Sequence, residues 1–247
     1  MRHLIRNAAL LVLLMSCIAP SPAVRAATRH KTQNVIFVVT DGLRWQEIFN
    51  GADSSLMNKE NGQVSDEAAL KKTYWREPTE ERRTPLMPFL WTTMAKNGQV
   101  FGNRRKGSEA YVTNHLNFSY PGYSETLCGF ADPRVNSNHQ TPNPNVTVLE
   151  WLNAKPAYHG KVGAFGAWDT ISYIVNAERS GITTSAGYDP LIGARPPSRS
   201  DLLNRLKAEL PRVWDGEPFD AIPFYTALEY LTTDKPRILY VSLGENG

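Results

Sequence analysis

Three runs of β-branched and aromatic residues constrain the fold of this chain more than any other feature of its sequence. They are residues 34–40 (NVIFVVT), 161–168 (KVGAFGAW) and 237–243 (RILYVSL). Continuous apolar runs of this length are typical of strands that are buried on both faces, as in a parallel sheet. We therefore predict three buried strands.

Helix signals fill the chain between these runs. The predicted helices span residues 84–96 with Gly98 as the stop, a short segment from Ser119 to Gly129, residues 147–153, a segment capped by Ser200 and ending at Pro211, and residues 221–231. We also predict a short strand at 99–101 and a polar surface insertion at 50–83. Alternating strands and helices predict an α/β fold, a mostly parallel sheet with helices on both faces, and the length suits one domain.

Residues 1–27 have the features of a secretory signal. A positively charged start is followed by an apolar run at 8–15 and a small-x-small cleavage site at 24–26. The run is shorter than the about 20 residues that cross a bilayer, so we expect no transmembrane segment. The signal predicts a secreted or periplasmic protein. A loose match to a lipobox ending at Cys17 leaves a lipid anchor at Cys17 as the alternative.

The residues that follow the signal exclude two classes of protein. The formal net charge of +3 disappears with the three arginines of the signal, so nothing in the charge predicts a nucleic acid or an anionic membrane as partner. Cys128 is then the single cysteine, which excludes a framework of internal disulfides. The apolar neighbours of Cys128 favour a core position over a nucleophilic role.

A carboxylate follows the first predicted strand directly. Asp41 stands in the sequence Thr-Asp-Gly-Leu-Arg, at the point where a strand delivers the chain to the carboxyl edge of a sheet. A carboxylate there is well placed to bind a metal ion. Asp-Gly is also a common turn pair, so a purely structural Asp41 remains open.

Ser119 is predicted to lie just before a helix N-terminus. Pro121 suits the first helical turn and Gly129 suits the stop. The Ser119 hydroxyl could cap the helix, or it could be a nucleophile whose target is held by free backbone N–H groups. Ser124 is a rival hydroxyl, but inside the helix it is predicted to turn away from the terminus.

These two segments together resemble the alkaline phosphatase superfamily, particularly its type I phosphodiesterase/nucleotide pyrophosphatase branch. The motif DG-x-R begins at Asp41, and Ser119, Pro121 and Gly129 match the spacing of the branch's nucleophile segment. The similarity covers roughly residues 33–170. The sulfatase branch shares this spacing. Here, however, Thr40 replaces one of the two adjacent acids of the sulfatases, and Gly122-Tyr123 replaces the Ser/Ala-Arg of their signature. Both differences favour phosphoryl over sulfuryl transfer.

The resemblance implies an alkaline-phosphatase-like fold with two divalent metal ions, usually zinc. Asp41 would be a metal ligand, and Ser119 would attack phosphorus and also contact a metal. The implied substrate is a small-molecule phosphate ester. An asparagine downstream of the nucleophile would bind a phosphoryl oxygen; the candidates are Asn136, Asn138, Asn143 and Asn145.

The sequence departs from the branch in its metal ligands. In the branch, an acidic residue and then a D-x-x-x-H motif of metal ligands follow the third strand. Glu245 matches the acidic residue, but the Asp of the motif would fall at about Gly247. None of the five histidines matches a ligand motif; these are His3, His30, His115, His139 and His159. We therefore expect residues 28–247 to be the N-terminal part of a longer domain, and we expect this part alone to hydrolyse esters hardly above background. The alternatives are a sulfatase-like hydrolase and an inactive exported fragment or binding module.

Overall fold

The computed structural model describes residues 32–193 and 198–245. The predicted signal at 1–27, including Cys17, lies outside the described residues. From Asn34 onward the chain forms one compact unit. The strands are β1 (Val35–Thr40), β2 (Val162–Gly166), β3 (Thr183–Ala186) and β4 (Ile238–Leu243). The α-helices are α1 (Trp45–Asn50), α2 (Lys59–Gly62), α3 (Glu67–Tyr74), α4 (Thr79–Leu86), α5 (Ala95–Asn97), α6 (Ser119–Cys128), α7 (Val148–Asn153), α8 (Ile171–Ile174), α9 (Ala177–Ser180), α10 (Arg199–Glu209) and α11 (Ala221–Thr233).

The four strands form one parallel sheet in the order β1-β4-β2-β3. Ile238 at the start of β4 pairs with Val35 of β1 on one side and with Val162 of β2 on the other. All three predicted strands are present, and β3 joins them as a fourth that the sequence analysis missed. The predicted α/β class with a parallel sheet is confirmed.

Two apolar clusters cover the two faces of the sheet. On one face, α6, α7 and α8 contribute Leu127, Leu149 and Ile171, which pack on Ala164 of β2 and Tyr240 of β4. On the other face, α11 contributes Ala227 and Tyr230 to a second cluster with strand residues. Helices on both faces are therefore confirmed, and the central strands β2 and β4 are the most deeply buried.

The prediction that residues 34–40 are buried on both faces is wrong. β1 is an edge strand that pairs with β4 alone, and its Ile36 and Val38 side chains are 54% and 53% exposed. The alternate residues Phe37 and Val39 pack against the core on the opposite face. An edge strand needs a covering helix on each face to be fully buried, and within the described residues β1 has cover on one face.

The helix predicted at 84–96 is divided in the structure. Helix α4 begins earlier, at Thr79, and ends at Leu86, because Pro88 disfavours a helical conformation at Met87. A π-helical turn (Leu90–Met94) and the short α5 follow, and Gly98 ends the segment as predicted. Residues 99–101 form an irregular loop rather than the predicted strand.

The polar stretch at 50–83 is mostly helical. It contains a 3₁₀ turn (Ser54–Leu56), α2, α3 and the start of α4. Side chains form the caps: Asp53 accepts from Ser55 N–H, Asn58 from Asn61 N–H, and Asp66 from Ala69 N–H. These helices are short and have little apolar periodicity, so the sequence predicted a surface insertion without secondary structure.

Helix α10 begins at Arg199, and its cap lies two residues before the predicted cap. Ser198, rather than Ser200, accepts the N–H of Asp201 at 3.1 Å. Leu202 and Leu210 of this helix are 47% and 44% exposed, whereas Lys207 is buried. The lysine enters the protein because its Nζ finds two oxygen acceptors in and just after β3.

Among the described residues, no helix has the length and hydropathy needed to span a membrane.

Candidate functional site

A cleft of about 420 Å³ lies at the carboxyl ends of the strands. This is the edge where parallel α/β sheets place their ligand sites. The residues that line it come from the ends of β1, β2 and β4, from the N-terminal half of α6, and from the α6–α7 and α10–α11 loops. They are Asp41, Ser119, Tyr123, Asn138, Trp168, Trp214, Glu217, Ser242, Gly244 and Glu245.

Asp41 continues directly from β1 into the cleft. Its backbone N–H donates to Leu243 O at 2.8 Å, which extends the β1–β4 ladder by one residue. Gly42 follows with φ of +73° and donates its N–H to Asp41 Oδ1 at 2.8 Å. Asp41 therefore does stabilise the turn, and its half-buried carboxylate also lines the cleft. A role of Asp41 in the turn is therefore compatible with a role as a metal ligand.

Helix α6 begins at Ser119 itself, whereas the sequence predicted Ser119 just before the first helical residue. Phe118 occupies the N-cap position and provides no side-chain cap. Within the described chain, the Ser119 hydroxyl makes no hydrogen bond, although its side chain is half-buried and lines the cleft. The capping role that the sequence left open for Ser119 is therefore wrong. The hydroxyl is therefore free to contact a ligand in the cleft.

The N-terminus of α6 offers fewer free donors than the sequence suggested. The Tyr120 N–H donates to Asn138 Oδ1 at 3.0 Å, and Pro121 has no N–H. The Gly122 N–H donates to Phe118 O at 3.5 Å. Because these amides are occupied or absent, the Ser119 N–H and the Nδ2 group of Asn138 are the donors that this terminus can direct to a bound anion.

The structure separates the four candidate asparagines. Asn138 alone lines the cleft. Asn143 is fully buried and bridges Ser124 Oγ to the Ile174 carbonyl, while Asn145 is buried and donates to Asp132. Asn136 is exposed and lies outside the cleft lining.

Ser124 faces away from the cleft, as predicted. It is buried, accepts from Asn143 Nδ2 at 3.1 Å and lies 4.0 Å from Cys128 Sγ. Cys128 is half-buried, and burial raises the pKa of its thiol, which disfavours the reactive thiolate. His115, His139 and His159 lie outside the cleft lining. None of these five side chains of the described chain lines the cleft.

Two hydroxyls form the floor of the cleft. Tyr123 OH and Ser242 Oγ are 3.0 Å apart, and this bond ties α6 to β4 beneath the site. Burial raises the pKa of the Tyr123 phenol, so it stays protonated at neutral pH. The bond fixes the distance between the helix that carries Ser119 and the sheet that carries Asp41.

The turn after β4 is held by the N-terminus of α11. Asp220 accepts the N–H groups of Gly244 at 2.7 Å and Glu245 at 3.2 Å, and its own N–H donates to Glu245 Oε2 at 2.9 Å. A Cβ on Gly244 would overlap Glu217 Oε1, so a larger residue there would displace the Glu217 side chain. These contacts bring Glu217 and Glu245 to the cleft.

The charge around the cleft is negative. Asp41, Glu217 and Glu245 line it, and no lysine, arginine or histidine does so among the described residues. Burial raises the pKa of Glu217, and neighbouring carboxylates, first Asp220 and then Asp41, raise it further. Within the described chain, no three His, Cys, Asp or Glu side chains are grouped closely enough to hold a metal ion.

Three residues that line the cleft, Trp168, Trp214 and Glu217, were not predicted from the sequence. Trp168 follows β2, and Trp214 and Glu217 stand in the loop before α11. Trp214 packs edge-on against Phe219, with ring centroids 5.4 Å apart. The position of Trp168 at the end of the predicted strand 161–168 was the one available signal. Nothing in the sequence distinguishes the residues of the α10–α11 loop.

Protein-family models, curated proteins and solved structures were compared with the chain, and none of these comparisons gave a match.

Proposed function

We propose that this protein is an exported, metal-dependent phosphoric ester hydrolase of the alkaline-phosphatase-like type, with Ser119 as its nucleophile. One observation carries the proposal. Asp41 and Ser119, which are far apart in sequence and were selected by motif, line the same cleft at the carboxyl edge of a parallel sheet. A small-molecule phosphate ester suits the size of the cleft, about 420 Å³.

The proposed reaction has two displacement steps. The Ser119 oxygen attacks phosphorus as its proton passes to solvent, the ester bond breaks, and the alcohol leaves with a proton from solvent. Water then attacks the phosphoserine and releases phosphate, which restores the serine. The absence of a hydrogen bond to the Ser119 hydroxyl within the described chain supports this role, because nothing must be broken before attack.

The negative charge of the cleft supports metal dependence. Three carboxylates and no basic side chain line it among the described residues, so an anionic ester would be repelled unless cations neutralise the site. The Asp41 carboxylate and the Ser119 oxygen fit as part of the oxygen ligand set of a divalent ion, probed below with zinc. When bound, such ions would supply Lewis-acid stabilisation of the phosphoryl charge. The described residues provide part of a ligand set, so turnover is expected to be slow.

The donors at the start of α6 would orient the ester. Asn138 accepts the Tyr120 N–H through Oδ1, which leaves its Nδ2 group to donate to a phosphoryl oxygen. The Ser119 N–H lies at the positive end of the same helix. Tyr123 and Ser242 hold the helix against β4 and would keep the nucleophile at a fixed depth.

The test is hydrolysis of p-nitrophenyl esters with and without added Zn²⁺. We expect slow, zinc-dependent release from phosphate esters by the purified chain, with less release from p-nitrophenyl sulfate. Ser119→Ala should remove this release, since the nucleophile is lost. Ser124→Ala is the matched control; it removes a hydroxyl from the same helix but outside the cleft, and should retain most of the rate.

Three results would contradict the proposal. Equal release by Ser119→Ala would reduce Ser119 to a structural residue. Faster release from the sulfate than from the phosphate esters would indicate a sulfatase-like hydrolase. No release from any ester by a folded, zinc-loaded chain would indicate a binding module or an inactive fragment.

A further inference from the structure

A second cavity lies between α1, α4 and the segment around residues 95–106. Its volume is about 340 Å³, and its lining differs in charge from that of the first cleft. The lining residues are Phe49, Arg83, Trp91, Ala95, Lys96, Val100, Asn103 and Lys106. Three cations and no carboxylate therefore face an otherwise aromatic and aliphatic space.

The local sequence has the same charge bias. Residues 82–108 contain six lysines and arginines and no aspartate or glutamate. Arg83, Lys96 and Lys106 form no ion pair with a carboxylate of the described chain. Glu80, one turn before Arg83 on α4, is exposed and lies outside the lining. The cations of the cavity are thus left without a local counter-charge inside it.

One buried polar atom without a partner belongs to the lining of this cavity. Of the four such side-chain atoms in the described chain, Arg83 Nε is on a lining residue, whereas Asn50 and Arg82 line a neighbouring cavity. A buried donor without an acceptor destabilises the unliganded protein. Arg83 lines the cavity itself, so an acceptor bound there could reach its guanidinium.

The aromatic wall holds Arg83 in place. Its guanidinium carbon lies 3.7 Å from the centroid of the Trp91 ring. Trp91 is fixed in turn, because its Nε1 donates to Ile48 O at 3.1 Å and its ring packs edge-on against Phe49 at 6.0 Å. A stacked, oriented guanidinium loses little freedom when it binds an anion.

The opposite side of the cavity is a short basic turn. Arg104–Lys106 forms a 3₁₀ turn, and Asn103 caps it by accepting the Arg105 N–H at 3.2 Å. This cap sets the position of Lys106, which faces the cavity together with Asn103. The three cations therefore come from three separate elements: Arg83 from α4, Lys96 from α5 and Lys106 from the 3₁₀ turn.

We propose that this cavity binds an organic anion, a phosphate-like group attached to an aromatic or aliphatic body. Arg83, Lys96 and Lys106 would bind the anionic group, and Phe49, Trp91 and Val100 would contact the body. The volume exceeds that of a bare phosphate, and the apolar wall would be unused by one. This site is distinct from the Ser119 cleft and does not depend on the function proposed for it.

Titration with phenylphosphonate tests the proposal, because this probe carries both parts and cannot be hydrolysed as an ester. Binding to the full chain is followed by calorimetry and by tryptophan fluorescence, in which Trp91 should respond. We expect phenylphosphonate to bind more tightly than inorganic phosphate or benzyl alcohol, each of which has one part alone. Arg83→Gln and Lys106→Gln should each weaken binding about tenfold, the size of one lost charge-assisted contact.

Two control variants distinguish binding in this cavity from binding elsewhere on the chain. Lys71→Gln removes an exposed cation of the insertion that pairs with Glu67 outside the cavity, and should leave binding unchanged. The titration contains no Zn²⁺, so the acidic first cleft should repel the probe, and Ser119→Ala should leave binding unchanged. Lys106 is exposed, so Lys106→Gln is expected to fold even if Arg83→Gln does not.

The proposal is overturned if phenylphosphonate does not bind, or if Lys106→Gln binds it as tightly as the original chain. An equal loss with Lys71→Gln would also overturn it, because the attraction would then be a general effect of charge. A loss with Ser119→Ala would assign the binding to the first cleft instead.

Discussion

Lys207 is buried as a cation and should make the stability of the protein depend on pH. Its side chain is 2% exposed, and its Nζ donates to Ser185 Oγ at 2.6 Å and to Asp189 O at 2.9 Å. Burial lowers the pKa of Lys207 to about 8 from 10.5, and the charge of Asp189 opposes this shift. The folded chain therefore releases this proton at lower pH than the unfolded chain does.

The sign and size of the effect follow from proton linkage. Below pH 8 both states are protonated, and folding bears the full cost of burying the charge. As the pH rises from 8 towards 10.5, the unfolded state holds more protons, so the free energy of unfolding increases. At 1.36 kcal/mol per pH unit, the total increase is about 3 kcal/mol, of which about 1 kcal/mol falls between pH 7 and 9.

Lys207→Met isolates this contribution. The apolar side chain has a similar length, and the Ser185 hydroxyl keeps its own bond to Asp189 O at 2.9 Å. Urea unfolding at pH 7, 8 and 9 should show the original chain gaining about 1 kcal/mol relative to the variant. The comparison cancels the titration of Cys128 and the tyrosines, which both proteins share. Parallel stability curves for the two proteins would refute a buried, charged Lys207.

Two further substitutions test the surroundings of the first cleft. Asn143→Ala should lower the free energy of unfolding by about 3 kcal/mol in urea titrations, because the fully buried amide donates to Ser124 Oγ and Ile174 O and accepts from Asn145 N–H; a loss below about 1 kcal/mol would contradict this. Asp41→Asn should reduce bound zinc, measured by elemental analysis, at an unchanged melting temperature by circular dichroism, since an amide oxygen can still accept the Gly42 N–H. Unchanged zinc with a lower melting temperature would make Asp41 purely structural.

The central strands were predictable because their signal is local. Residues 161–168 and 237–243 are continuous apolar runs, and they fold as the fully buried β2 and the almost fully buried β4. The run at 34–40 has the same composition but becomes the half-exposed β1. Composition indicates a strand, whereas burial depends on which elements pack beside it, and the sequence does not encode that neighbourhood locally.

Helix ends were less predictable because neighbouring residues offer competing signals. Ser198 and Ser200 can both cap α10, and the structure uses Ser198. Pro85 suits a helix start, yet α4 begins at Thr79 and contains it. Lys207 is buried because Ser185 and Asp189, which the sequence cannot place beside it, accept its donors.

Half of the candidate site could be found from sequence and half could not. Asp41 and Ser119 stand at recognisable points, a strand end and a helix start, and the structure brings them to one cleft. Glu217 comes from an irregular segment, and Asn138 is one of four candidate asparagines that the sequence did not separate. Their positions depend on the contacts Gly244 to Glu217 and Tyr120 to Asn138. Such contacts between loops leave no periodic pattern in a sequence.

The most direct test of the proposed function is to identify the residue that becomes phosphorylated. The chain is incubated with Zn²⁺ and a p-nitrophenyl phosphate ester, quenched in acid to trap the intermediate, and digested for mass spectrometry. We predict a phosphate on Ser119, dependent on both zinc and ester, and absent from Asp41→Asn. A phosphate on Ser124 or on any other residue, or release of p-nitrophenolate with no phosphate trapped on Ser119, would contradict the proposed nucleophile.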